Sequence, residues 1–192
     1  AGAFHDGATG ALQRAGGTIV EGTGVVGIER GASGTLRVLT ADAAYEAERV
    51  ANCAGAWATG IARMVGEEIP CGVKASMMIV TERLPHFCTP TVGPTARALS
   101  FKQTAVGTVV IGGGHQGRND PEAETSTVLF GSLAQAARIA AELFPCVAGA
   151  RIMRSWTGTE ARTPDEIPVI GESVSMPGLF HSFGFSGHGF QL

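Results

Sequence analysis

Short runs in which apolar and polar residues alternate fill positions 18–50, after a short opening helix, and helical spacing returns at two places further on; these two periods predict the elements. Asp6 to Gly17 reads as a short helix with Asp6 as N-cap and Gly16 as its stop. The runs 18–20, 24–29, 35–40 and 45–50 lie between Gly and Ser turns, the pattern of a strand meander. Arg49 to Trp57 is small and apolar and leads into 58–65, which has helical spacing. Residues 73–80 predict a strand, and Thr81 to Thr95, with Pro85, Pro90 and Pro94, a loop. Residues 99–102 and 106–111 form a hairpin around Ala105 to Gly107, and Gly112-Gly113-Gly114 ends or bends its second strand. Thr127 to Phe144 is the best helix: Leu129, Leu133, Ala136, Ala140 and Leu143 share a face that reads as core packing, and Pro145 ends it. Residues 151–159 alternate as a strand, Val169-Ile170 reads as a short buried piece, and 179–183 is a strand that enters a glycine-rich end.

Strands interleaved with a few helices predict an α+β fold. A mixed or largely antiparallel sheet carries helices on one face, and the meander before residue 53 makes a separate subregion. Composition narrows the function. The net charge is only -3, Lys74 and Lys102 are the only lysines, and the arginines are scattered, which argues against nucleic-acid and anionic-membrane partners. No apolar run approaches the roughly 20 residues that span a bilayer, and the first residues lack the pattern of a signal peptide; the expected location is cytoplasmic. Cys53, Cys71, Cys88 and Cys146 are widely separated, as are the five histidines, so reduced thiols and no metal are expected. The 28 glycines imply many turns and close backbone approaches.

Several of those glycines fall in motifs. Gly22 to Gly27 matches G-x-G-x-x-G, and Asp42 follows at a suggestive distance, but a hairpin turn stands where a phosphate-binding helix must open. Gly112 to Gly114 lacks the Lys-Ser/Thr of a phosphate-binding loop. Val50 to Trp57, a strand ending in small residues at a helix start, either admits a flat ligand or is a tight turn with Trp57 as core filler; spacing alone leaves both open. Gly184 to His188 resembles a nucleophile elbow, which raises a serine hydrolase using Ser186 with His188 and Asp165. The motif requires glycine where His188 stands, however, and Ser and His two residues apart pair poorly. Read instead as a loop, Gly184, Gly187 and Gly189 expose N–H groups to an anionic or acceptor-bearing ring. Asp165, between Pro164 and Pro168, reads as a turn-capping acid.

The ordered set Arg154-x-Trp156-x-Gly158, then T-P-D-x-x-P-V-I-G from Thr163 to Gly171, then G-F-S-G-H-G-F from Gly184 resembles the C-terminal half of the FAD-dependent amine and amino-acid oxidoreductases of the D-amino-acid oxidase type. That group includes glycine and sarcosine oxidases, and the ending is similar to bacterial D-hydroxyproline dehydrogenase, opine oxidase and hydrogen cyanide synthase flavoprotein subunits. The resemblance covers nearly the whole chain. It implies hydride transfer from the carbon of a primary or secondary amine to flavin N5, giving an imine that hydrolyses, with no side-chain nucleophile. It also implies a small amine or amino-acid substrate and a possible electron-transfer partner subunit.

Carried over by position, the resemblance places Val25 at the adenine, and Ala54, Gly55 and Trp57 near the ribityl or pyrophosphate portion. Gly184, Phe185, Ser186, Gly187, His188 and Gly189 line the pyrimidine side of the ring, and Trp156, Glu160, Arg162 and His188 are the substrate-binding candidates. It divides the chain into residues 1–66 and 161–192 as parts of the FAD-binding region and 67–160 as the substrate-binding domain. Glu160 stands near the position that glycine oxidase gives to a carboxylate-binding Arg, with Arg162 two residues on. The family's N-terminal nucleotide-binding βαβ unit has no counterpart here, and the helix expected after Phe190 is cut short. The resemblance therefore implies a fragment that is inactive and binds FAD weakly on its own. A non-catalytic scaffold domain is the remaining alternative.

Overall fold

The computed structural model describes residues 2–93, 96–120 and 124–189. Pro94 and Thr95 of the expected loop, and the closing residues Phe190 to Leu192, lie outside the described residues. In chain order the elements are α1 (Gly2–Arg14), β1 (Val25–Arg30), β2 (Leu36–Thr40), β3 (Ala44–Ala47), β4 (Val50–Asn52), α2 (Ala58–Met64), β5 (Gly72–Arg83), β6 (Ser100–Gln103), β7 (Thr108–Gly112), β8 (Arg118–Asp120), β9 (Thr125–Thr127), α3 (Phe130–Leu143), β10 (Ile152–Arg162), β11 (Val169–Glu172) and β12 (Leu179–Phe183). Single 3-10 turns occupy Ala32–Gly34, Gly55–Trp57 and Pro145–Val147.

The fold is α+β, with strands distributed over four sheets ordered β1-β2-β3, β10-β5-β7-β6, β11-β12-β4 and β8-β9. Every pairing between these strands is antiparallel except that of β12 with β4. The largest core lies against the four-stranded sheet. Along β5 side chains alternate, so Ala75, Met77 and Ile79 are buried on one face while Lys74, Ser76 and Met78 stand on the other. Met77 and Ile79 pack with Phe101, Val109 and Ile111 of the neighbouring strands and with Leu133, Ala136, Ile139 and Ala140 of α3. The apolar stripe of α3 is thus a core face, as its spacing predicts. A smaller core of Ile28, Leu36 and Leu179 joins the meander to β12.

Several expectations change at the boundaries. α1 begins at Gly2, so Asp6 lies inside the helix rather than capping it. Gly16 does stop it: at φ +85° it lets the Gly17 N–H reach the Leu12 carbonyl at 2.9 Å and its own N–H reach that of Gln13 at 3.0 Å. Residues 18–20 form no strand and pair with none of the three strands of the meander sheet. The 45–50 run splits in two, β3 pairing with β2 and β4 crossing to β12. Thr81 to Arg83 extend β5 because β10 and β7 pair on its two sides. Thr127 closes β9, and α3 starts only at Phe130. Ile170 is 67% exposed, not buried, since β11 is the outer strand of its sheet among the described residues. No helix among the described residues is long and apolar enough to cross a membrane.

Candidate cofactor cleft

Strands β4 and β12 run parallel in register, Asn52 beside His181, and their carboxyl ends open into two turns. Ligands of open α/β sheets collect outside the carboxyl ends of such strands. After β4 the chain turns through Ala54 and the 3-10 turn Gly55–Trp57 into α2; after β12 it passes through Gly184 to Gly189.

Two clefts meet at the first turn. One, of about 600 Å³, is lined by Thr23, Gly24 and Val25, by Ala54 and Trp57, by Gly60, Ile61 and Met64 of α2, and by Glu124. The other, of about 470 Å³, runs from Cys53, Gly55 and Trp57 past Thr159, Glu160 and Ala161 to the loop from Gly184 to Gly189. Trp57 borders both and is 48% exposed, so it is not core filler. Gly55 has φ +56°, and a Cβ built on it meets nothing within 4 Å, which leaves bare backbone and open space at the junction.

The Gly184 to Gly189 loop owes its shape to three residues in the left-handed region: Gly184 at φ +75°, Ser186 at +51° and Gly187 at +93°. Gly184 is further constrained by packing, because a Cβ there would stand 2.8 Å from Cγ2 of buried Thr163. The His188 N–H closes the turn onto the Phe185 carbonyl at 2.9 Å. The exposed N–H groups of Gly187 and Gly189 have no partner among the described residues.

On the opposite wall, Ser76 donates to Glu160 Oε2 at 3.0 Å, and Glu160 Oε1 stands 3.4 Å from where a Gly187 Cβ would be. Glycine suits position 187 through its φ of +93°, since a Cβ there would only touch that carboxylate. Behind this wall, burial pushes the Cys71 thiol pKa up, against a smaller opposing contribution from the Arg162 backbone.

The structure therefore gathers Val25, Ala54 and Trp57 along one cleft, and Gly55, Glu160, Gly184, Phe185, Ser186, Gly187 and Gly189 along the other. The remaining candidates stand apart. Trp156 shares the Glu160 face of β10 but lies four residues away, where Arg154 stacks over its ring at 4.9 Å. Arg162 is ion-paired with Glu166, and His188 is exposed and does not line the cleft. Sequence reasoning missed Ser76 and Thr163, which hold Glu160 and Gly184; only pairing across 84 and 21 residues reveals them.

Ser186 has the positive φ of an elbow nucleophile but not its chemistry. Its hydroxyl donates to the Gly184 carbonyl at 3.1 Å and lies 3.4 Å from the Thr163 hydroxyl, so neither partner is a base. The Asp165 carboxylate accepts from the Ile167 N–H at 3.1 Å, a turn-capping bond. A serine hydrolase is not what this constellation builds.

The family described as "FAD dependent oxidoreductase" matches residues 1–192. The chain belongs to that family. Among curated relatives, hydrogen cyanide synthase subunit HcnC of Pseudomonas aeruginosa is 26% identical over 168 residues, covering 86% of this chain and 39% of the relative. Glycine oxidase of Pseudomonas putida is 27% identical over 155 residues, covering 81% and 41%. Among solved structures, L-proline dehydrogenase from P. horikoshii superimposes with a TM-score of 0.82 at 24% identity, covering 93% of this chain and 48% of that one, a likeness of fold. The chain thus spans less than half the length of these relatives.

The residues present fit FAD, the cofactor of the family. Two clefts joined end to end suit a long dinucleotide, bare backbone at Gly55 admits it, and the free N–H groups of Gly187 and Gly189 suit a ring edge rich in acceptors.

Proposed function

We propose that the full-length protein oxidises the C–N bond of a primary or secondary amine or amino acid with FAD. In this reading residues 1–66 and 161–192 belong to the FAD-binding region and 67–160 form the substrate-binding domain. The observation that carries it is the double cleft pivoting on Ala54 to Trp57, with Glu160 facing the Gly184 to Gly189 loop, in a chain of this family.

Held in the double cleft, FAD would supply the acceptor for a hydride from the carbon that carries the nitrogen, leaving an imine that water hydrolyses. The chain's own residues bind and orient. Val25 supports the adenine end through its backbone, and Ala54, Gly55 and Trp57 border the middle. Gly187 and Gly189 offer N–H groups where negative charge develops on reduction, Phe185 and Ser186 line the same wall, and the His188 N–H closes the turn that presents them. Glu160, fixed by Ser76, accepts a hydrogen bond from the substrate nitrogen. Arg162 is ion-paired with Glu166 and would meet a substrate carboxylate only by sharing or leaving that partner. Trp156 frames the far end of the substrate wall. HcnC is described as a subunit, which supports a partner chain as electron acceptor for this protein too.

The test uses the full-length protein. It should purify with flavin absorbance that bleaches when a cyclic or N-substituted amino acid is added without oxygen. Glu160→Gln should keep the flavin and raise KM for the amine about 10-fold or more, the worth of one charged hydrogen bond. A protein without flavin, unable to reduce added FAD with any such substrate, refutes the reading.

A further inference from the structure

Beneath the turn that joins the two clefts lies a buried polar chain. Asn52, Glu67, Ser173 and His181 are all 9% exposed or less, and they come from β4, the segment after α2, the end of β11 and β12. Their partners settle the proton positions. The Asn52 amide nitrogen reaches the Ala58 carbonyl at 2.9 Å, and its oxygen accepts from the Ala54 N–H at 3.3 Å, so the amide has one orientation. Its second N–H then points at His181 Nδ1, 3.1 Å away, which must accept. His181 therefore carries its proton on Nε2 and donates it to Glu67 Oε2 at 3.2 Å. Glu67 Oε1 accepts from the Ser173 hydroxyl and from the Ser175 N–H at 2.8 Å, and the Ser173 oxygen accepts from the Met176 N–H at 2.8 Å. Phe183 closes the site, with its ring edge-on to the imidazole at 5.8 Å.

Every proton in this chain has one direction, and its far end is the Ala54 to Ala58 backbone. Asn52 clamps that turn from within, and His181 lies on β12 three residues before Gly184. The Asn52–His181 bond thus ties together the two strands whose continuations line the cleft. A network tying two glycine-bearing turns this way transmits geometry because breaking one bond leaves buried polar atoms without partners.

We propose that Asn52, His181 and Glu67 are positioning residues for the cofactor, setting the Ala54 to Trp57 turn relative to the Gly184 to Gly189 loop. None of the three is among the side chains that line either cleft. The inference rests on the flavin reading above. It separates from it cleanly: a protein that never binds FAD ends that reading, whereas one that binds FAD indifferently to His181 ends only this one.

The conservative replacement is His181→Gln. Glutamine carries one acceptor and one donor group on a flexible stem, the two functions that His181 supplies to Asn52 and Glu67. His181→Phe keeps a ring and loses both bonds. In full-length protein stripped of flavin, the Kd for FAD is read from quenching of flavin fluorescence, and the visible circular dichroism of the bound flavin reports its setting. A thermal melt of the apoprotein checks folding. His181→Phe should raise the Kd about tenfold or more and alter the flavin dichroism, while His181→Gln stays within about threefold of the parent with an unchanged spectrum. The proposal is overturned if folded His181→Phe binds FAD with the parent's Kd and spectrum, or if His181→Gln loses as much as His181→Phe. Should His181→Phe not fold, Asn52→Asp is read against the same thresholds. It leaves the Glu67–His181 bond in place and turns an acceptor toward the Ala58 carbonyl and His181 Nδ1.

Discussion

Against the four-stranded sheet, buried apolar side chains from Met77 to Val147 form one dry core: Phe101 stacks on Phe144 with ring centroids 4.2 Å apart, and Phe87 tilts against both. Beneath the Ala54 to Trp57 turn the apolar core shrinks to Ile28, Leu36 and Leu179, and the neighbouring interior is filled by Asn52, Glu67, Ser173 and His181. The first region tolerates small shifts at a cost that grows with lost contact. The second has bonds of fixed direction, so its geometry is either kept or broken. Two turns that hold a long ligand between them, as proposed for these, would need a set separation, which directional bonds can supply.

The largest effect that tests this contrast is in the dry core. Phe101 is fully buried, and Phe101→Ala should cost about 3–5 kcal/mol of stability through lost transfer and a residual cavity, measured by denaturant unfolding. In protein that remains folded, FAD affinity should change little, since Phe101 borders neither cleft. A Phe101→Ala protein that is folded but has lost FAD binding would show that the two regions are not independent.

A smaller and pH-dependent effect belongs to the polar region. The Ser173 hydroxyl above all, against the opposing pull of burial and with help from the Ser175 N–H and His181, holds the Glu67 carboxyl below its ordinary range. A carboxyl whose folded pKa lies below its unfolded one stabilises the fold fully above the unfolded value, and that contribution is lost as pH falls through the folded one. Glu67→Gln should therefore be less stable by about 1–3 kcal/mol at neutral pH. The gap to the parent should narrow as pH drops through and below the usual carboxylate range. A gap that is constant with pH would mean that the charge of Glu67 contributes nothing.

The same contrast explains what the sequence disclosed. The dry region was legible because a buried face imposes a period: Leu133, Ala136 and Ala140 announced α3, and β5 alternated as written. Its errors are at the ends, where Thr81 to Arg83 read as loop but gain partners on both sides. In the cleft, the glycines at 184, 187 and 189 and the small run before Trp57 were visible because close approach demands small residues. Asn52, Glu67 and His181 were not, since a polar network leaves no period and joins positions 114 and 129 residues apart. Trp57 stayed ambiguous because exposure, not spacing, separates a ligand wall from core.

The smallest expected effect probes the cleft from its two cysteines. Cys53 is exposed and lines the cleft beside Gly55, while Cys71 is partly buried behind Gly184, its sulfur 3.8 Å from where a Cβ would stand, and burial raises its thiol pKa. The thiolate is the reactive form, so a maleimide should label Cys53 and exposed Cys146 before Cys71, read by peptide mass over time. FAD should then slow Cys53 and leave Cys146, remote from both clefts, at its original rate. If FAD slows both alike, protection reflects general tightening of the fold. If it slows neither, the ligand lies away from Gly55, and the second cleft is not its path.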